Sequence, residues 1–438
     1  MTQTLSDDRF ALRGDLLDFV SAPAWGDVDA AAARFRPAHW LLVEDGRIVR
    51  VQAGEPEAGW PRVDCGSRLV LPGFVDAHVH SAQIDMIASW GGGLLDWLQL
   101  HTYPAELRHA DPDRAAAGAE RFVDALLAHG TTAAVVMPTV HRASAEALFA
   151  AAQARGMRLI AGKVLMDRNA PAGLLDNVAQ AERDCVELIG RWHGRGRLSY
   201  AVTVRFAPTS TPQQMALAGA LCAADSTLYL HTHVAENHDE VRWVRALYPE
   251  ARSYLDVYAR AGLLHRRSVL AHGVWLDDDD RAALAASGAL IAHCPSSNLF
   301  LGSGLFDWRA LAECGAAVAA ASDVGAGTSL SMQRTLADAC KVQALRGERL
   351  TAWVALHAAT RGAACALGLE NEIGRFEPGC SADLCVWDWA CGAVAARRDA
   401  LAKGLHERLY AWLMLADERN LVSVRVAGIE RWRRGAAC

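Results

Sequence analysis

Between Arg68 and Asp323 the chain switches repeatedly between two textures. Short runs rich in β-branched and apolar residues lie at Arg68–His80, Thr131–Pro138, Met157–Met166, Leu198–Phe206, Thr227–Ala235, Ser268–Trp275, Ala289–His293 and Ala316–Asp323. Stretches rich in Ala, Leu, Arg and Glu separate them, as at Asp113–Ala128, Ser144–Arg155 and Pro212–Ala224. The first kind reads as strand and the second as helix by composition and period. Eight strands, most followed by a helix, predict an α/β fold built as a (β/α)8 TIM-like barrel rather than an open sheet.

The two ends of the chain read differently. Trp40–Val43 and Arg47–Val51 flank Glu44-Asp45-Gly46, and Asp-Gly between β-rich runs signals a hairpin. Near the other end, Ala382–Trp387 and Leu421–Val426 read as strands and Ala427-Gly428 as a turn. The ends therefore predict one small β-sandwich-like domain, formed by residues 1–67 and 375–438, beside a barrel of residues 68–374.

Composition narrows the partners. A formal net charge of -6 over 438 residues argues against a dedicated nucleic-acid binder, which needs a basic footprint. The acidic run Asp277–Asp280 and the basic group Arg431, Arg433 and Arg434 read as solvated surface. Met1–Asp8 lacks a basic segment and an apolar core, so no secretory signal is expected. No apolar run is long enough to span a bilayer. The 11 cysteines are scattered and form no C-x-x-C pair, which fits small buried residues in a reducing cytoplasm.

A barrel of this kind places chemistry at the C-terminal ends of its strands. Those ends carry His78 and His80, then Arg205 and Phe206, then His231, His233 and Glu236, then His272, His293 and Asp323. Residues i and i+2 share a strand face, so His78 and His80 project together and suit a metal better than they suit packing. His233 lies nearer its strand end than His231 and three residues before Glu236, so His233 reads as the ligand and His231 as an interior histidine supporting the site. Each residue also has a structural alternative: His272 as a lone hydrogen-bonded imidazole, Asp323 as a helix cap, Glu236 as an acidic helix start. His293 stays open between ligand and structure.

His78-Val79-His80, His233, His272 and Asp323 resemble the metal site of the amidohydrolase superfamily. Longer stretches are similar to the guanine deaminase family: Pro72 to Gln83, Leu95-Asp96-Trp97-Leu98 with Thr102 to Glu106, Arg205-Phe206-Ala207-Pro208, His233 to Asn237, His293 to Leu299, and Ser322 to Gly325. The H-x-H and lone-Asp elements are shared by many amidohydrolases. Gln83, Leu95–Trp97 and Arg205-Phe206 are the more specific elements. Val204 stands where proline is expected and Ala326 where glycine is commoner, and neither is a proposed ligand.

The resemblance implies a zinc-dependent hydrolysis of guanine to xanthine and ammonia. One Zn2+ per chain would be held by His78, His80, His233 and Asp323, with His272 as a further ligand or contact; iron or another divalent metal suits the same donors. Asp323 would accept the proton of the attacking water. Glu236 would protonate a ring nitrogen and then the leaving amine, with His272 assisting at the reacting centre. Gln83 and Arg205 would hydrogen-bond the purine edge and Phe206 would cover its face. Trp90, Trp97 and Gly91-Gly92-Gly93 would belong to a cover over the mouth. A homodimer is implied by the family alone. The alternatives are another aminohydrolase of the superfamily, acting on 8-oxoguanine, cytosine or a triazine, and a non-catalytic interaction protein that keeps the scaffold.

Overall fold

The computed structural model describes residues 9–29 and 31–435; the readings of Met1–Asp8 and Cys438 lie outside them. Eight parallel strands form the barrel: Phe74–His80, Thr131–Met137, Arg158–Ala161, Leu198–Val204, Tyr229–Val234, Ser268–His272, Leu290–His293 and Ala317–Ala320. A two-residue strand, Val164–Leu165, also pairs with Leu198–Val204. The eighth strand returns to the first through Asp323 N–H to His78 O at 3.0 Å and His80 N–H to Val324 O at 2.9 Å. This closure brings the two chain-distant ligand segments side by side.

The strand residues divide with a period of two, as the pleat requires. Val75, Ala77, Ala133, Val135, Ile160, Ala201, Val269, Ala271, Leu290, Ala292 and Ala319 form a core cluster of largely small side chains on the inner face. The alternate residues Ala134, Val136, Leu159, Ala161, Val202, Leu230, Leu270, Ile291 and Ala320 pack in a second cluster with the surrounding helices. Those helices include Pro112–Ala128, Arg142–Arg155 and Pro212–Ala224, close to the expected spans.

The ends form a single seven-stranded sheet drawn from both termini. It contains Arg9–Phe19, Ala33–Glu44, Arg47–Gln52, Arg62–Pro72, Leu384–Trp387, Leu421–Val426 and Ile429–Arg433. Asp45 and Gly46 have φ of 50° and 73°, and Ala427 and Gly428 have 46° and 77°. Positive φ at both central residues is the tight hairpin turn that matches strand twist. The two tips touch: a Cβ on Gly46 would lie 2.7 Å from Ala427 O.

Two expected strands are divided. Arg68–His80 splits at Gly73, with Arg62–Pro72 in the terminal sheet and Phe74–His80 in the barrel. A Cβ on Gly73 would meet Thr132 Oγ1 at 2.0 Å, so the crossing admits only glycine. Met157–Met166 splits at Gly162, where a Cβ would lie 1.8 Å from Ala201 O. The C-terminal segment also holds helices Ala393–Ala400 and Leu405–Leu415 between its strands. Among the described residues, no helix is long and apolar enough to cross a membrane.

Candidate metal and purine site

Plain alternation from Val75 and Ala77 would leave His78 and His80 on the outer face. The pairing register with Thr131–Met137 shifts between Asp76 and Val79, and this irregularity turns both histidines inward. Tyr229 begins an inward series that carries His231 and His233 with it. His272 follows inward Ala271 and would face out, but its φ of 75° re-aims the ring. Asp323 has φ of 50° and Ala235 has 46°. Non-glycine residues in this region carry strain that the surrounding fold must hold, and such positions cluster at functional sites.

The imidazoles converge on one point. Nε2 of His78 lies 3.1 Å from Nε2 of His80, which lies 3.2 Å from Nε2 of His233. Asp323 Oδ1 lies 3.1 Å from His78 Nε2 and 3.3 Å from His80 Nε2, and Asp323 Oδ2 is 3.7 Å from His272 Nε2. Ligand atoms of His78, His233, His272 and Asp323 all fall within 4.8 Å of one another. Ligands at zinc-like bond lengths in a tetrahedron stand about 3.3 Å apart, so the spacing fits a bound divalent cation.

The outer ring nitrogens fix this arrangement. His233 Nδ1 lies 2.6 Å from Arg205 O, and a carbonyl can only accept, so Nε2 keeps its lone pair for the cluster. His272 Nδ1 lies 2.9 Å from Asn298 Oδ1, with the same effect when the amide oxygen accepts. His78 Nδ1 lies 2.6 Å from His231 Nε2, so His231 touches a cluster histidine and stays outside the cluster itself. Burial lowers the pKa of His78 to about 4 and holds His233 well below the usual range, which keeps both neutral. Burial alone would raise Asp323; hydrogen bonds from His78 and His80 outweigh it and hold the carboxylate well below its usual range.

Glu236 Oε2 is 3.3 Å from His272 Nε2, and Ser303 Oγ donates to Glu236 Oε1 at 3.1 Å. Burial, then the Asp323 charge, pushes this carboxyl up to about 8. Its backbone is set by the following helix, His238–Leu247. Asn237 caps that helix, and Glu240 Oε2 accepts from the N–H of Glu236 at 2.8 Å and of Asn237 at 3.2 Å.

A cavity opens beside the cluster, lined by His80, Gln83, Arg205, Phe206, Glu236 and Asp323 among others. Leu94, Trp97, Leu98 and Leu301 form its apolar wall. Trp97 is buried and donates to Ser89 O at 3.1 Å, whereas Trp90 is 91 % exposed and does not line the cavity. The expected cover thus contributes Trp97 to the site and not Trp90. His293 faces the other way: its neighbour Ala292 points inward, and His293 stacks on Phe306 at 4.2 Å in the outer layer.

The structure also adds residues that no spacing marked. Glu106 is fully buried and accepts from Gln83 Nε2 at 3.0 Å and Arg205 Nη1 at 2.6 Å. Asn298, on the short helix Pro295–Phe300 after the seventh strand, holds His272, and Ser303, in the turn beyond that helix, holds Glu236. A lone polar residue, on a short helix or beyond it, carries no periodic signal, so only assembly reveals such roles. Asp76, one turn of pleat before His78, accepts from the N–H and hydroxyl of Ser322 and ties the first strand to the segment bearing Asp323.

Known proteins are similar to this chain over nearly its whole length. The amidohydrolase family profile matches residues 69–428. Guanine deaminase of Escherichia coli strain K12 is 41% identical over 425 residues, covering 95% of this chain and 96% of that protein. A probable guanine deaminase of Deinococcus radiodurans is 40% identical over 384 residues, 87% of each chain. Among solved structures, E. coli guanine deaminase superposes with a TM-score of 0.93 at 39% identity, covering 98% of this chain and 99% of that one. A guanine deaminase from C. acetobutylicum, solved with guanine in its active site, gives 0.88 at 26% identity over 97% and 100% of the two chains.

Proposed function

Because this chain belongs to the amidohydrolase family and deaminates guanine hydrolytically, we propose that the converged cluster divides that reaction among named residues. The observation that carries the assignment is a buried carboxyl, Glu236, 3.3 Å from His272 of the ligand cluster, in a cavity that also presents Gln83 and Arg205.

His78, His80, His233 and Asp323, with His272 adjoining, would hold one divalent metal, and neutral nitrogen plus carboxylate donors without thiolate suit zinc. Such an ion would supply a water of lowered pKa as nucleophile. Asp323 accepts the proton of the attacking water and aims it at the carbon that bears the amine. Glu236 gives its proton to the adjacent ring nitrogen, which makes that carbon electrophilic. It then returns a proton to the departing amine, so a single carboxyl serves both transfers. Gln83 and Arg205 hold the purine edge. Phe206, buried and edge-on to Trp243 at 6.2 Å, supplies an apolar face. The products are xanthine and ammonia.

The test is turnover of guanine by purified, metal-analysed protein, scored by ammonia and by xanthine absorbance. Absence of guanine turnover alongside turnover of another heterocycle would reassign the substrate. We also infer a reducing, cytoplasmic setting, supported by ten unpaired cysteines among the described residues, and a homodimer. Light scattering decides the latter: a mass near 47.1 kDa in solution would refute it.

A further inference from the structure

We propose that Glu106 is a positioning residue that fixes the donor and acceptor polarity of the purine reader, so that the cavity takes an edge with a ring N–H beside a carbonyl and rejects the reverse edge. This rests on the reading that the cavity takes guanine.

The geometry is a three-residue lock beneath the cavity. One oxygen of Glu106 accepts from both Gln83 Nε2 and Arg205 Nη1. A carboxylate paired with a guanidinium can only accept, so the amide of Gln83 must point its NH2 group at Glu106. Its carbonyl oxygen is thereby left for the cavity, which Gln83 lines. Among the described residues no donor reaches that oxygen. It rests against Gly325, where a Cβ would lie 2.9 Å from Gln83 Cβ and 3.2 Å from Oε1. Gly325 thus leaves the room that this side chain occupies. Arg205, 3 % exposed, spends Nη1 on Glu106 and keeps its remaining N–H groups for a ligand. Its guanidinium also sits 5.8 Å from the Tyr103 ring, on the same short helix as Glu106, Tyr103–Leu107.

The reader therefore offers one acceptor, from Gln83, next to fixed donors, from Arg205. That pattern matches an N–H next to a C=O, as guanine and hypoxanthine present at N1 and C6. Adenine and 2,6-diaminopurine present the opposite, a bare ring nitrogen next to an amino group. Without Glu106 the Gln83 amide could rotate and serve either. Sites built around buried hydrogen-bonding groups discriminate strongly because the wrong partner leaves them unpaired.

The experiment measures inhibition of the metal-loaded enzyme by hypoxanthine and adenine, with guanine as substrate, for wild type, Glu106→Gln and Glu106→Asp. Wild type is expected to favour hypoxanthine by about 100-fold or more. In Glu106→Gln, whose amide can donate to a rotated Gln83, that ratio falls at least tenfold, and the loss on guanine falls mainly on KM. Glu106→Asp keeps an acceptor and keeps the ratio within about threefold of wild type. The same polarity predicts that 2,6-diaminopurine, which would yield isoguanine and ammonia by hydrolysis at C2, gains on guanine in Glu106→Gln. A wild-type ratio near one overturns the proposal even if the variants fail to fold. So does a Glu106→Gln protein with normal metal content whose hypoxanthine-to-adenine ratio is unchanged. A wild type that ignores guanine altogether instead removes the substrate reading on which the proposal stands.

Discussion

Replacing Glu236 with glutamine tests the division of labour most sharply, because it separates chemistry from folding. The amide is nearly isosteric and can keep the Ser303 hydroxyl as donor to its oxygen. It cannot deliver a proton. A positioned acid or base contributes about 10²- to 10⁴-fold, and Glu236 acts on two steps. Taking the lower figure twice, kcat should fall by about 10⁴, which is about 5.4 kcal/mol of barrier. Stability should move the opposite way. In the metal-free protein Glu236 is held neutral up to a pH of about 8, against 4.5 when unperturbed. A folded pKa raised in this manner leaves stability intact at low pH and removes it as pH climbs from 4.5 towards 8. At pH 7 the wild-type carboxyl therefore costs about 3 kcal/mol, which the glutamine does not incur. Metal-free Glu236→Gln should melt above metal-free wild type, by a margin that widens between pH 5 and 8, while its metal content after loading stays normal. The assays are stopped-time ammonia release and thermal melts across that pH range. A variant with more than about a tenth of wild-type kcat would refute the shuttle, since even one lost proton transfer exceeds that.

Chelation followed by dialysis should abolish turnover, with one equivalent of zinc restoring it; activity that survives verified metal removal would break the ligand assignment. The pH profile of kcat/KM should fall on the alkaline side at or below pH 8 as Glu236 loses its proton, a bound dication pulling that limb lower; a profile flat from pH 7 to 10 contradicts this. Asp383→Ala should lower stability by about 3 kcal/mol and leave KM unchanged, read by denaturant melts and kinetics. That buried carboxylate joins Arg197, before the fourth barrel strand, to Ala427 N–H in the terminal sheet, far from the cavity. Gly162→Ala should yield little folded protein, because its Cβ would fall 1.8 Å from Ala201 O, and recovery of soluble, native-like protein would show that this crossing is looser than it stands.

Much of the site was readable because ligand-type residues fall at strand ends, and strand ends can be found from local texture. That texture and the barrel rule single out His78, His80, His233, His272 and Asp323 as candidates, and the family resemblance favours ligation over their structural alternatives. What texture hides is the direction in which a side chain faces. His272 and His293 look alike in sequence, each closing an apolar run, yet a left-handed backbone turns the first inward and plain alternation turns the second outward. The inward aim of His78 and His80 depends on a register shift that no residue in the stretch announces. Gly73 lies inside what reads as one strand, and its role as the crossing between two sheets depends on Thr132, a neighbour from the next strand. Glu106 shares a familiar stretch with Tyr103, but its purpose appears only when Gln83 and Arg205 arrive from elsewhere in the chain.

The seam between the first and eighth strands gives the protein a schedule. His78 and His80 leave the ribosome early, His233 and His272 follow, and Asp323 comes last, bonded through its own N–H to His78 O. The nascent chain therefore lacks its full ligand set until the final barrel strand has been made and has found the first. Capture of a metal by the full ligand set would then wait for the final barrel strand, and a bound ion would act as a clasp across the join. Loss of the ion should be felt first at that join, as faster amide exchange at Asp323 and Val324, before the helices on the far side of the barrel register any change.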